Sequence, residues 1–416
     1  MEVNMKRISI LLLILCTCVL LAPLRLTAQQ VHYTVIDLGT LHGTWSEADG
    51  ISDSGWVQGE ATLSGDIYEH SYLWRNGVMT DLGTLGGGNS FGPGRPNIWG
   101  DAAGAAETTT TDPLNENWCG DDEICLPFLW RNDLQKMIAL PTLGGNNGAA
   151  WGGVNDFRQV VGFAETATTD PNCPPNLQVM PALWQNGKVN ALPLIRGDSD
   201  GQADAINDLG QAVGYSGNCY YTHYAVLWQN GKAINLGGFG GTIHQHALGI
   251  NNLTQVVGYS GFPGNAVFHA FLWQKGVMSD LGTVSGDVLS VAYSINLEGQ
   301  VVGWSSDACE CNVRAFLWQN RVMTDLNTLI PADSPVYLNY AFGINDEGQI
   351  VGGGTTTSGE YHAYLATPSY GDAESESATM AASTERPKVT LNENVRKILE
   401  RRAHFGRPKG ELLTPR

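Results

Sequence analysis

The sequence predicts an all-β protein, a seven-bladed β-propeller of four-stranded blades closed by its N-terminal strand, with a short helical tail. Three observations predict it: a phrase that returns along the chain, a composition poor in charge and rich in glycine, and an unmatched fourth strand at the N-terminus. Of 416 residues 15% are charged and 51 are glycine, the profile of turn-rich β structure.

The first 28 residues read as a signal peptide. Lys6 and Arg7 precede an apolar run from Ile8 to Leu21, and Leu26-Thr27-Ala28 supplies small residues for cleavage. The rival is a retained anchor, but Thr17 and Pro23 shorten the apolar segment below a comfortable span. After cleavage the protein would not be integral to a membrane. It would be secreted, periplasmic or at the cell surface. The leader carries Lys6, Arg7 and Arg25 against Glu2, so of the formal charge of −18 the remainder holds −20. A body so acidic repels nucleic acid and anionic lipid.

The repeat occupies 29–369. Its first half is clearest at Gly249-Ile250-Asn251-Asn252-Leu253-Thr254-Gln255-Val256-Val257-Gly258, its second at His269-Ala270-Phe271-Leu272-Trp273 and onward to Asp280-Leu281-Gly282. The Leu-Trp element recurs at Trp74, Trp130, Trp184, Trp228, Trp273 and Trp318, and Tyr364-Leu365-Ala366 is a seventh copy. The last three intervals are 44, 45 and 45 residues, the length of a propeller blade. Each copy holds four β-type runs, and Asn76-Gly77, Asn186-Gly187 and Asn230-Gly231 join the third to the fourth as tight hairpins.

The seventh copy stops after its third strand, whereas Val35-Ile36-Asp37-Leu38-Gly39 is a fourth strand with no first three. Joining them would close a ring and remove the exposed sheet edges. An open solenoid would need polar capping units, and none is visible. Small residues two and four positions before the Asn, such as Ala247 and Gly249, are expected where first strands crowd the axis.

These residues resemble the bacterial HAF repeat family of probable extracellular repeat proteins, named for the His-Ala-Phe seen at His269-Ala270-Phe271. The resemblance covers residues 31 to 366. It implies an exported repeat protein and supplies no catalytic residues. The sorting signal common in such proteins, Pro-Glu-Pro with an apolar span, is absent at the C-terminus.

Residues repeated in most copies are read as structural. They include His70, His269 and His362 in third strands, Asp37, Asp81 and Asp280 in fourth strands, and the turn residues Asp156, Asp208 and Asp346, whose carboxylates could cap nearby backbone. Unrepeated polar residues cluster where first strands begin. Glu47, Asp49, Asp204 and His246 would approach one mouth of a central channel, where carboxylates could serve as general acid and base. His244 and His246 are weak metal candidates, since two imidazoles lack a third ligand. No nucleophile-elbow, phosphate-loop or zincin phrase is present in a suitable setting, and no cofactor is implied.

The long insertions fall between second and third strands, including Ala106 to Pro113 and its near copy Ala164 to Pro171, and define a variable loop face. The six cysteines beyond the leader, Cys119, Cys125, Cys173, Cys219, Cys309 and Cys311, lie on the same face and are expected to form disulfides. Cys119 with Cys125 and Cys173 with Cys219 are the expected pairs. Cys309 and Cys311 would close a very tight ring, and the alternative for them is to stay reduced or to bind metal. A flexible linker is expected over 370–385 and a basic tail with one amphipathic helix over 386–416.

The leading reading is a monomeric, noncatalytic binding or scaffold propeller that recognises a glycan, peptide or envelope component on its variable face. The alternatives are an extracellular polysaccharide hydrolase or lyase and a structural surface protein without a small ligand.

Overall fold

The computed structural model describes residues 31–369, apart from 117, 121, 175 and 220, together with 393–395 and 397. The expected leader, the linker and most of the tail lie outside the described residues. The described chain is all-β, with a single short 3-10 turn at Leu326–Leu329 and isolated helical residues at 393–395 and 397. No described helix is long and apolar enough to cross a membrane.

Five four-stranded antiparallel sheets follow one another along the chain, each formed by four consecutive strands. The sixth sheet has eight strands. It joins His42–Ile51 and its three successors to Val336–Ile344 and its two successors, through one parallel bridge from Trp45 to Tyr361. The N-terminal strand His32–Gly39 runs antiparallel to Tyr361–Ser369, with Val35 opposite Ala366 and Thr34 opposite Thr367. The orphan strand therefore stands beside the third strand of the last repeat. Its Asp37 accepts from His362 at 2.8 Å, the bond made within single sheets by Asp81 with His70 and Asp280 with His269.

The repeated glycine of Gln-Val-Val-Gly answers a close approach. A Cβ on Gly258 would lie 2.0 Å from the His246 carbonyl oxygen, and one on Gly214 or Gly303 would lie 2.0 or 1.9 Å from the matching oxygen of its own first strand. Five of the first strands bulge beside that glycine, as between Ala247 and Gly249, which pushes the carbonyl inward. The small residues before the Asn then let neighbouring first strands meet. A Cβ on Gly249 would lie 2.5 Å from the Tyr293 oxygen, and one on Gly343 would lie 3.2 Å from the Gly50 Cα.

In every repeat but the first, where Ser52 stands, an Asn after the first strand ties one repeat to the next. The Asn251 side-chain oxygen accepts from the Leu253 and Gln255 amides, which shapes its own hairpin. Its Nδ2 donates to Gln255 and, at 2.9 Å, to the Asn296 carbonyl of the following repeat. Asn155 reaches Asn207, Asn207 reaches Asn251, and Asn296 reaches Asn345 in the same way. Asn345 continues the series to the Ser52 carbonyl, 293 residues away in sequence. The residue after the Asn works in the opposite sense. Asp156 accepts from the Ile98 amide, Asp208 from Asp156, Asp346 from Leu297 and Asp53 from Asp346. The turn carboxylates thus cap the preceding repeat rather than, as expected, their own turn.

Two expected loops are strands. Ala102–Thr111 and Val160–Thr169 carry the Ala-Glu-Thr insertions as continuations of second strands, because Glu107 and Glu165 turn back onto backbone amides of their own repeat.

Asn251→Ala removes donors and acceptors from a buried position, and unfolding midpoints should fall by an amount on the order of 1–3 kcal/mol in stability. Chemical denaturation of the variant checks it; an unchanged midpoint would remove the inter-repeat bond from the account.

Candidate functional site

A cavity of about 390 Å³ is lined by the first-strand segment of every repeat, including Glu47, Asp49, Arg95, Trp151, Asp204, Tyr293 and Phe342. Alternation along a strand places positions three and five before the Asn on one face. Those positions hold Asp49 and Glu47 in the first repeat, Asp204 and Gln202 in the fourth, and Tyr293, Tyr340 and Phe342 in the last two. The wall is acidic on one side and aromatic on the other. Tyr340 and Phe342 stack at 5.6 Å, Phe342 meets Tyr293 edge-on, and Trp304 meets Tyr340 edge-on. Burial pushes the Tyr293 hydroxyl up to about 12, with the Glu47 and Asp49 charges adding to it.

Glu47, Asp49 and the buried Glu60 place one oxygen each within 4.8 Å of the others. Glu60 also accepts from the Gly92 amide. Asp204 and His246 meet elsewhere on the wall, Oδ2 to Nε2 at 2.8 Å. The imidazole's Nδ1 faces the Tyr259 hydroxyl at 3.5 Å, and Gln202 donates to the other Asp204 oxygen at 2.6 Å. This pair is closed upon itself. His244 packs against Phe268, and neither histidine belongs to a described cluster of three metal-capable side chains. Of the four sequence candidates, the structure pairs Asp204 with His246 and groups Glu47 and Asp49 with Glu60, which the sequence reading missed.

At the hairpin end the Gly92-Pro93-Gly94-Arg95-Pro96 segment replaces a regular first strand, and Arg95 pairs with Asp53. Burial raises the Asp156 and Asp346 carboxyls. Neighbouring acids add to the rise, and Arg95 opposes it.

The cysteine-bearing side is organised by the segment after Thr111. Asp112 accepts from the Leu114 and Glu116 amides and from the side chains of Asn146 and Asn147 in the next repeat. This lays Glu116 against Glu165 and Trp118 against Phe163, whose ring centres are 4.8 Å apart. The Trp118 indole donates to Glu165 at 2.9 Å. Burial pushes the Glu116 carboxyl up to about 8, and the facing Glu165 charge adds to it.

Cys119 and Cys125 form a disulfide, as expected. Cys309 and Cys311 also form one, in place of the reduced or metal-bound alternative; the Asp307 carboxylate beside them caps the Cys311 amide. Cys173 and Cys219, expected as a bridge, are adjoining thiols not joined by a disulfide. The Cys219 thiol donates to the Asn172 carbonyl, and its pKa is pushed up to about 12 by burial and by the adjoining Cys173.

In the tail, Val395 is fully buried against Trp45 and Tyr361, and Asn394 donates to the Gly65 carbonyl at 2.9 Å.

No family model matches the chain, and neither does any curated protein. Among solved structures it is similar to puromycin hydrolase at 11% identity, with 78% of this chain and 52% of that one covered and a TM-score of 0.50. The β-propeller domain of the Trilobed protease from Pyrococcus furiosus matches at 11% identity, 67% and 81% coverage and a TM-score of 0.42. The acylaminoacyl peptidase of Pyrococcus horikoshii matches at 10% identity, 80% and 54% coverage and a TM-score of 0.45. The chain spans about half the length of the hydrolase and of the peptidase.

A carboxyl whose folded pKa lies above its unfolded value gives stability that is full below the unfolded pKa and is lost as pH rises through the folded one. Wild-type stability should therefore decline towards about pH 8 through Glu116. Glu116→Gln should flatten that decline, measured as unfolding midpoints between about pH 6 and about pH 9; identical profiles would show that Glu116 does not carry it.

Proposed function

We propose that the chain is an exported seven-bladed β-propeller of the HAF repeat kind that binds an extracellular or envelope glycan or peptide through its variable loop face, without catalysis. The observation that carries this reading is the asymmetry between its two faces. One face consists of short hairpins tied together by the Asn and Asp bonds, which leaves little to vary. The other carries the long segments, the Cys119–Cys125 bridge and the Trp118 docking contacts. Rigid scaffolds present variable loops for recognition.

Seven blades result if the eight-stranded sheet is divided at its single Trp45–Tyr361 bridge, each half then having four strands. Closure of the ring is supported by Asn345 and Asp346 meeting Ser52 and Asp53 with the bonds that join successive repeats. Likeness in fold to puromycin hydrolase is compatible with this architecture and says nothing of activity.

A second reading is favoured by one specific observation, the Glu47, Asp49 and Glu60 cluster beside aromatic residues. Paired carboxylates and stacking rings suit polysaccharide cleavage. In that case Asp204 and His246 act on each other and hold the wall, leaving the acid and base roles to the cluster.

A glycan and peptide array separates the readings. The binding reading expects saturable signal that is lost when residues 112–125 are replaced by a short turn and survives substitution at Asn76 and Gly77 on the hairpin face. Turnover of a polysaccharide that is abolished by Glu47→Gln would favour the hydrolase. No saturable signal on any probe would leave a structural surface protein.

A further inference from the structure

A second cavity, of about 190 Å³, lies on the loop face between the second, third and fourth repeats. Its walls are the rings of Trp118, Trp151, Phe163 and Tyr215, with Asp200 and Gln202 as polar members. Trp118, Phe163 and Tyr215 are each less than a tenth exposed, and Asp200 is 3% exposed, so the walls are held in place. The disulfide at Cys119 and the Glu165 bond to the indole fix Trp118 from behind.

The lining is rich in π faces and acceptors, and two of its N–H donors are engaged. The Trp118 indole N–H is committed to Glu165 and the Gln202 amide to Asp204. None of the lining residues is a lysine or an arginine. His246 meets the Tyr215 ring edge-on at 4.9 Å, and its Nε2 is taken up by Asp204. A sugar ring would need donors as well as acceptors for its hydroxyls. An organic cation needs only ring faces, whose quadrupole attracts positive charge, and a carboxylate. The acids behind the rings, Glu165 and Asp204, add to the attraction.

We propose that this cavity is a binding site for a quaternary or methylated ammonium group, held between the four rings and paired with Asp200. The assignment rests on the reading of the loop face as the binding surface and names the chemistry it takes. A choline-like headgroup of an envelope lipid and a soluble ammonium compound offer the same group.

The test is calorimetric titration of the full chain without its leader with choline, with the neutral isostere dimethylbutanol in which carbon replaces nitrogen, and with phosphatidylcholine vesicles. Choline should bind saturably at one site per chain, and the isostere at least about tenfold more weakly. Asp200→Asn and Trp151→Leu should each weaken choline about tenfold, and Asp200→Asn should leave the isostere unchanged. Near-ultraviolet circular dichroism shows whether each variant keeps its aromatic packing, and Trp151→Phe, which retains a ring face, should restore most of the affinity. Vesicle binding that choline competes away assigns the group to a lipid headgroup; choline binding without vesicle binding assigns it to a soluble ligand. Equal affinity for choline and isostere, or no choline binding by the wild type, overturns the proposal. Array binding lost with residues 112–125 but without any choline binding would overturn this assignment alone, whereas no binding at the loop face would overturn both.

Discussion

The bond from an Asn side chain to the carbonyl of the next repeat is the interaction on which the rest of the structure depends. Apart from the Trp45–Tyr361 bridge and a few backbone bonds such as Ala150 to Gly104, neighbouring sheets share no backbone ladder, and side-chain bonds join them. One amide closes its own hairpin through its oxygen and reaches the following repeat through its nitrogen. Because these groups are buried, leaving any of them without a partner would cost more than the bond is worth in water. The series is therefore specific as well as stabilising. It fixes the rotation from one sheet to the next, which in turn aims every first strand at the shared cavity.

That orientation lets a few positions vary without disturbing the fold. Three residues before the Asn, each repeat meets the cavity, and there the repeats cease to resemble one another. Acid stands in the first and fourth repeats, aromatic rings in the last two, and glycine in the second. The same separation holds at the other end of the sheets. Glu107 and Glu165 do the same backbone work in two successive repeats, whereas Glu116 and Trp118 occur once and build a surface.

Much of the fold was legible because it repeats. The Trp spacing, the hairpin Asn-Gly pairs and the unmatched strand at Asp37 all carry their meaning in one dimension, and the strand stands where its missing neighbours required. The Asn bond was not legible as such. Its donor lies within the phrase, but its acceptor is a backbone carbonyl one repeat further on, which no sequence displays. The site was partly legible: Glu47, Asp49 and Asp204 do line the cavity, and a count from the Asn would also have found Tyr293 and Phe342. Glu60 was hidden because it sits on a second strand, and the pairing of His246 with Asp204 because it crosses between repeats. The unbridged Cys173 and Cys219 show the remaining limit, since shared location on one face does not determine which sulfurs join.

The N-terminal strand pairs with the last strand of the repeat, and the central proposal is that this pairing closes the ring. Thr34 and Thr367 stand opposite one another on the exposed side of that pairing. Replacing both with cysteine and oxidising at low protein concentration, with the bridge mapped by peptide mass, tests it directly. The account expects an intramolecular Thr34→Cys to Thr367→Cys disulfide in a monomer and a raised unfolding midpoint. Bridges formed only between molecules, or none, would contradict it.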